Sequence, residues 1–250
     1  MSLDLLWLAL AGLGAGIAGS VAGLASLVSY PALLAVGLSP LAANMTNTVA
    51  LVGSGVGAVW GSRPELAGRR DELGRLVAYS LVGGSLGAVL LLSTPAHLFT
   101  LVVPWLIGAG SFAVVLPRRP LAAGHHTFAH RRPTALGLTV LAVAVYGGYF
   151  GAAAGVILLA ILLQATADGL ARSNAAKNLL LGSANAVAAV AFAVVGPVHW
   201  LDAAPLAVGF VAGGRLGPGI VRRLPTGPLR LAIAAAGLGL AVHLGLSAYR

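Results

Sequence analysis

The chain contains no cysteine, which excludes a disulfide framework, a thiolate metal site and a cysteine nucleophile, and leaves redox compartment unreadable. Charge is nearly as scarce. Only 8% of residues are charged, and no Asp, Glu, Lys or Arg occurs from Leu5 to Ser62, from Leu76 to Pro117 or from Pro133 to Ala167. Carboxylates number six. An intramembrane hydrolase needs a carboxylate pair, a Ser/His pair or a metal cluster at membrane depth. Every acid here lies in or near a loop, so no enzyme is expected. Nothing calls for a cofactor either. Gly14-Ala-Gly16-Ile-Ala-Gly19 matches the dinucleotide fingerprint formally, but the next acid after it is Glu65, too far to bind a ribose. Helix packing is the better reading, as for the pairs Gly53/Gly57, Gly83/Gly87 and Gly209/Gly213. His125, His126 and His130 share a basic loop without a carboxylate, so no metal site is expected.

What the chain does have is apolar length. Apolar residues make up 58% of it and the mean hydropathy is +0.95, far from soluble averages. Each uncharged stretch exceeds the roughly 20 residues that one spanning helix needs. The first is read as a span rather than a signal peptide, because the pattern continues to Ala248. Breaks at Gly, Pro and charge predict elements near 5–24, 27–37, 43–61, 76–93 and 97–117, then 134–151, 154–164, 174–195, 203–221 and 228–248. The second element of each set is too short for an ordinary span. The net charge of +9 sits in short loop clusters, which speaks for membrane orientation and against nucleic acid.

The two sets of five are related. Sliding the chain by about 130 residues lays Leu41-Ala-Ala-Asn44-Met-Thr-Asn47-Thr48 on Ala171-Arg-Ser-Asn174-Ala-Ala-Lys177-Asn178. The run Ala18 to Gly23 then falls near Gly147 to Gly151. The expected organisation is a first transmembrane repeat over 1–120, a basic cytoplasmic linker over 121–133 and a second repeat over 134–250. Charge argues that the repeats are inverted. Segment 62–75 carries Arg63, Arg69, Arg70 and Arg75, and its counterpart 196–202 has no Lys or Arg. The bare 94–96 corresponds to 222–230, with Arg222, Arg223 and Arg230. Basic loops stay in the cytoplasm, which places the N-terminus outside. The expected fold is all-α, a polytopic bundle of two inverted repeats with broken or re-entrant second helices, the architecture of many secondary transporters.

The segments Ser26-Leu-Val-Ser-Tyr30-Pro-Ala-Leu-Leu, Asn44-Met-Thr-Asn47-Thr-Val-Ala-Leu-Val, Tyr146-Gly-Gly-Tyr-Phe-Gly151-Ala-Ala-Ala-Gly155 and Arg215-Leu-Gly-Pro-Gly-Ile-Val-Arg-Arg-Leu-Pro225 resemble the TauE/SafE sulfite-exporter (4-toluene sulfonate uptake permease) family, nearly end to end. The resemblance implies carriage of sulfite, sulfonates or related organosulfur anions across the bacterial plasma membrane. The chain departs from many members in reading Ala152-Ala153-Ala154 before Gly155.

Polar groups inside apolar runs are the candidate site. Lys177, the sole lysine, either snorkels or pairs with Asp168, or binds the anion or its coupling proton. Asn44, Asn47, Asn174, Asn178 and Asn185, with Thr46 and Thr48, either bond between helices or donate to an oxyanion. Tyr30, Tyr146 and Tyr149 line the pathway or anchor at an interface, and Arg215 snorkels toward the cytoplasm in preference to contacting the substrate. The expected substrate-binding set is Lys177, Asn174, Asn178, Asn185, Asn44, Asn47, Thr48 and Tyr30. The partners expected are a small anion and the bilayer, with a homo-oligomer left open. A non-transport membrane role, as an intramembrane enzyme or an assembly subunit, is the alternative.

Overall fold

A computed structural model describes residues 2–115, 133–166, 168–222 and 227–249. The three histidines of the basic linker and nearly all of that linker lie outside these residues. The described chain is helical: α1 Ser2–Ala22, α2 Ala25–Ala35, α3 Pro40–Gly61, α4 Arg63–Leu66, α5 Arg70–Leu92, α6 Ala96–Val115, α7 Pro133–Tyr149, α8 Ala154–Ala165, α9 Leu170–Val195, α10 Trp200–Val221 and α11 Gly227–Ala248. The ten expected elements are all present, and α4 is one more. α5 begins earlier than expected because Asp71 and Glu72 belong to its first turn, where carboxylates suit the positive end of the helix dipole. Ser39 caps α3 with Pro40 at its first position, the usual pairing at a helix start.

Among the described residues, four helices, Leu3–Ala22, Arg70–Leu92, Leu170–Val195 and Trp200–Val221, are long and apolar enough to cross a membrane. Large apolar side chains such as Trp105, Val194 and Leu201 are exposed around the outside, an outer surface made for lipid. The polar residues Asn44, Asn47, Asn174 and Lys177 are buried.

Glycines set how the helices meet. Gly12 lies against Leu206 and Gly209, and Gly16 against Gly213 and Gly214, so α1 and α10 run side by side in the same sense. Gly53 against Ala207 and Gly57 against Val211 and Arg215 put α3 on α10 in that sense too. The mirror set follows: Gly83 on Leu141 and Gly87 on Val145 align α5 with α7, and Gly84 on Ala184 packs α5 against α9. All three small-xxx-small pairs thus pack helix on helix, as does Gly16 of the formal fingerprint. α3 and α9 cross at Gly55 and Gly182 and run oppositely: Gly196 abuts Met45 near the start of α3, and Arg69 beyond its end pairs with Asp168 before α9 at 2.6 Å.

Described residues of two basic segments, 62–75 and 222, meet at one end of the bundle. Arg222 at the end of α10 reaches Glu65 of α4 at 2.7 Å. That hydrogen-bonded guanidinium holds the Glu65 carboxyl below its ordinary value of 4.5. A depressed carboxylate contributes stability that is present above its ordinary pKa and lost as pH falls through the lower folded value. Glu65→Gln should therefore cost about 0.5 kcal/mol near neutrality, the range of a partly exposed pair, and should flatten the acid limb below pH about 4.5. Thermal unfolding of purified protein at stepped pH checks both.

Candidate functional site

The centre of the bundle is built from two broken helices. α1 stops where Gly23 takes φ +78, a left-handed conformation open to glycine at little cost. Leu24 N–H then reaches back to the Ala18 carbonyl, leaving the Ser20 carbonyl without a helical donor. Three side chains of α9 converge on it. Asn174 Nδ2 donates to Ser20 O at 2.8 Å, Lys177 Nζ at 3.3 Å and Asn178 Nδ2 at 3.4 Å. Lys177 Nζ also donates to Gly19 O at 2.9 Å. Residues 174, 177, 178, 181 and 185 lie along one face of α9, and an ammonium at the carboxyl end of α1 meets the negative end of its dipole.

The other half repeats the device. α7 ends at Tyr149, followed by Gly151 at φ +74 and Ala153 at φ 58. Asn44 Nδ2 of α3 donates to Tyr149 O at 2.9 Å. Asn44 and Asn174, which the 130-residue shift superposes, thus each hold the end of the other half's first helix. Ala153, at φ 58, adopts a conformation that costs an L residue about 1–2 kcal/mol. The two turns touch backbone to backbone at Gly23 and Gly155.

Between them lies a cavity of about 70 Å³ whose polar lining is Ser26, Ser54, Lys177, Asn178 and Asn185. Gly19, Gly23, Gly55, Gly147, Gly151, Gly155 and Gly182 supply bare backbone around it. Among the described residues its lining holds one cation and no carboxylate. Lys177 is 1% exposed and lies in the core, not snorkelled to an interface, while Asp168 gives its ion pair to Arg69. Asn185 and Ser54 make no side-chain hydrogen bond among the described residues, so their donors face the cavity unengaged.

Of the eight expected residues, Lys177, Asn178 and Asn185 line this cavity, and Asn174 stands beside them on Ser20 O. The other four lie behind the wall. Asn47 Nδ2 donates to Ser26 Oγ at 3.2 Å and its Oδ1 accepts from Ser29 at 2.6 Å. Thr48 donates to Asn44 O at 3.0 Å, and Tyr30 donates to Pro40 O at 3.3 Å and packs edge-on to Phe150. Thr46 accepts from His199 N at the start of α10, and Tyr146 donates to Ala152 O at 2.7 Å. These groups shape the turns that carry the cavity. Ser26, Ser54 and the glycine backbone were not in the expected set. A serine in an apolar run can satisfy itself on its own helix, and a glycine leaves no side chain to read.

The sequence profile of the family described as Sulfite exporter TauE/SafE matches residues 8–244. The chain belongs to that family. It is similar to the "Probable membrane transporter protein YfcA" of Escherichia coli (strain K12), at 29% identity over 212 residues, 83% of this chain and 77% of the relative. It is also similar to the "Probable membrane transporter protein ORF9" of Sinorhizobium sp, at 25% over 205 residues, 81% of this chain and 77% of that one. No solved structure matches. As a TauE/SafE member with these relatives and a lipid-facing apolar exterior, the protein is a multi-pass membrane transporter. Among the described residues, no group of three His, Cys, Asp or Glu gathers that could hold a metal ion.

Proposed function

We propose that this TauE/SafE transporter carries a small oxyanion, sulfite or a compact sulfonate, by alternating access of two inverted halves about the central cavity. The observation that carries the reading is the charge of the cavity lining: among the described residues, one buried ammonium, neutral amide and hydroxyl donors, and no carboxylate. A charge at bilayer depth costs about 2.5–3.5 kcal/mol on insertion scales, so a cationic group facing a cavity there marks a substrate or ion pathway. An oxyanion beside Lys177 accepts from Asn185, Ser54 and the ammonium. In doing so it draws the ammonium from the Gly19 and Ser20 carbonyls, which links occupancy to the end of α1. The cavity volume favours a small anion over an aryl sulfonate.

Inversion is supported by helix directions. α1, α3 and α10 share one sense, α5, α7 and α9 run together, and α3 opposes α9. The first helix of each half lies on the fourth of the other, as an exchange of two antiparallel copies requires. In this reading the end where Arg63, Arg69 and Arg222 gather is cytoplasmic.

Flux into proteoliposomes, screened over sulfite, sulfate, thiosulfate, taurine-like sulfonates, toluenesulfonate and carboxylates, tests the proposal. Sulfite or a short sulfonate should move fastest and toluenesulfonate slowest, and a carboxylate preference would overturn the substrate class. Asn185→Ala removes one donor to a charged group, worth about 1.5–3 kcal/mol. It should weaken apparent affinity for the transported anion roughly tenfold or more while leaving the melting temperature near that of the wild type.

A further inference from the structure

The α3/α9 crossing has a second face. Opposite the central cavity lies a groove of about 380 Å³, with Gly55 and Gly182 in both linings. Its walls are Val52, Val56 and Val59 of α3 with Leu179 and Ala186 of α9, and Trp60 and Arg63 stand at one end. Val56 is 56% exposed and Trp60 46%, so the groove opens sideways, where the bilayer lies. From Trp60 to Val52 it runs about 12 Å along the helix.

Charge marks only its head. The Arg63 guanidinium lies 5.6 Å from the centre of the Trp60 ring and the Arg215 guanidinium 4.2 Å. Two other arginines at this end are matched, Arg69 by Glu72 and Asp168 and Arg222 by Glu65. Among the described residues, neither Arg63 nor Arg215 has a carboxylate within ion-pair distance. Two uncompensated guanidinium groups around an indole, above an aliphatic trough, complement a ligand with an anionic head and an apolar tail.

We propose that this groove binds an anionic phospholipid, its phosphate between Arg63 and Arg215 beside Trp60 and one acyl chain along the valine wall of α3. Tryptophan and arginine at headgroup depth suit the site, and cationic side chains beside an anionic leaflet are worth about 1 kcal/mol each. The proposal rests on the membrane location of the protein and is independent of which solute the central cavity takes. Because Gly55 and Gly182 back onto both spaces, the bound chain braces the crossing from outside.

The test is native mass spectrometry of the full-length protein released from micelles doped with phosphatidylglycerol or phosphatidylcholine. The wild type should retain one phosphatidylglycerol in preference to phosphatidylcholine. Arg63→Gln and Arg215→Gln should each weaken that retention roughly fivefold, the equivalent of about 1 kcal/mol per charge. Val56→Trp, which fills the trough without touching charge, should weaken it as well. Equal retention of the two lipids would overturn the proposal. So would displacement by inorganic phosphate or glycerol phosphate at concentrations matching the lipid, which would make the arginines a small-anion site only. A dimer in the wild type that disappears with Val56→Trp would assign the groove to a second copy and overturn it too.

Discussion

Replacing Lys177 with methionine should reduce anion flux about 10- to 100-fold while leaving the protein folded. The substitution keeps the length of the apolar stem and deletes the ammonium. A buried hydrogen bond to a charged partner is worth about 1.5–3 kcal/mol, and each 1.4 kcal/mol is a factor of ten. The fold should survive because the Ser20 carbonyl keeps Asn174 at 2.8 Å and Asn178 at 3.4 Å. Flux through vesicles is the measurement, with Arg75→Ala as the reference. Arg75 is an exposed cation in the second turn of α5, away from the cavity lining. A drop in Lys177→Met against little change in Arg75→Ala locates the effect in the cavity. Equal rates in the two variants, with both proteins intact by thermal melting, would remove Lys177 from the site.

The same lysine marks how far the sequence could be read. Apolar length and its interruptions place ten of the described helices, long and short, because burial in lipid requires continuous runs that only glycine, proline and charge divide. The 130-residue correspondence superposes two asparagines that make matching contacts, Asn44 on the end of α7 and Asn174 on the end of α1. It could not say which amides face a cavity. Asn47 and Asn178 differ by one position in the superposed segment, yet Asn47 is spent on Ser26 and Ser29 while Asn178 lines the open space. That outcome depends on helix rotation and on neighbours far along the chain, neither of which leaves a local trace. α4 was missed for a related reason: four residues at a charged break carry no periodicity. The glycine-built walls are the extreme case, because the feature that opens the space is the absence of a side chain.

Gly23→Ala should be the most damaging single-methyl change in the protein, with a stability loss of about 3 kcal/mol or more. Two costs combine. Gly23 sits at φ +78, where an L residue loses about 1–2 kcal/mol. A methyl there would also meet the Gly155 Cα and carbonyl carbon and the Val156 nitrogen, all backbone of the other half's turn, and overpacking adds about 1–3 kcal/mol. Gly37→Ala isolates the first cost, since Gly37 has φ +93 with nothing within 4 Å of the added methyl; about 1 kcal/mol is expected. Gly155→Ala isolates the second, because it makes the same collision from the opposite side without a positive φ. Melting temperature and folded yield from detergent should therefore rank Gly37→Ala mildest and Gly23→Ala most severe. If Gly23→Ala were no worse than Gly37→Ala, the two turns would not be in contact. The meeting of the broken helices at the centre, on which the proposed alternating access rests, would then have to be abandoned.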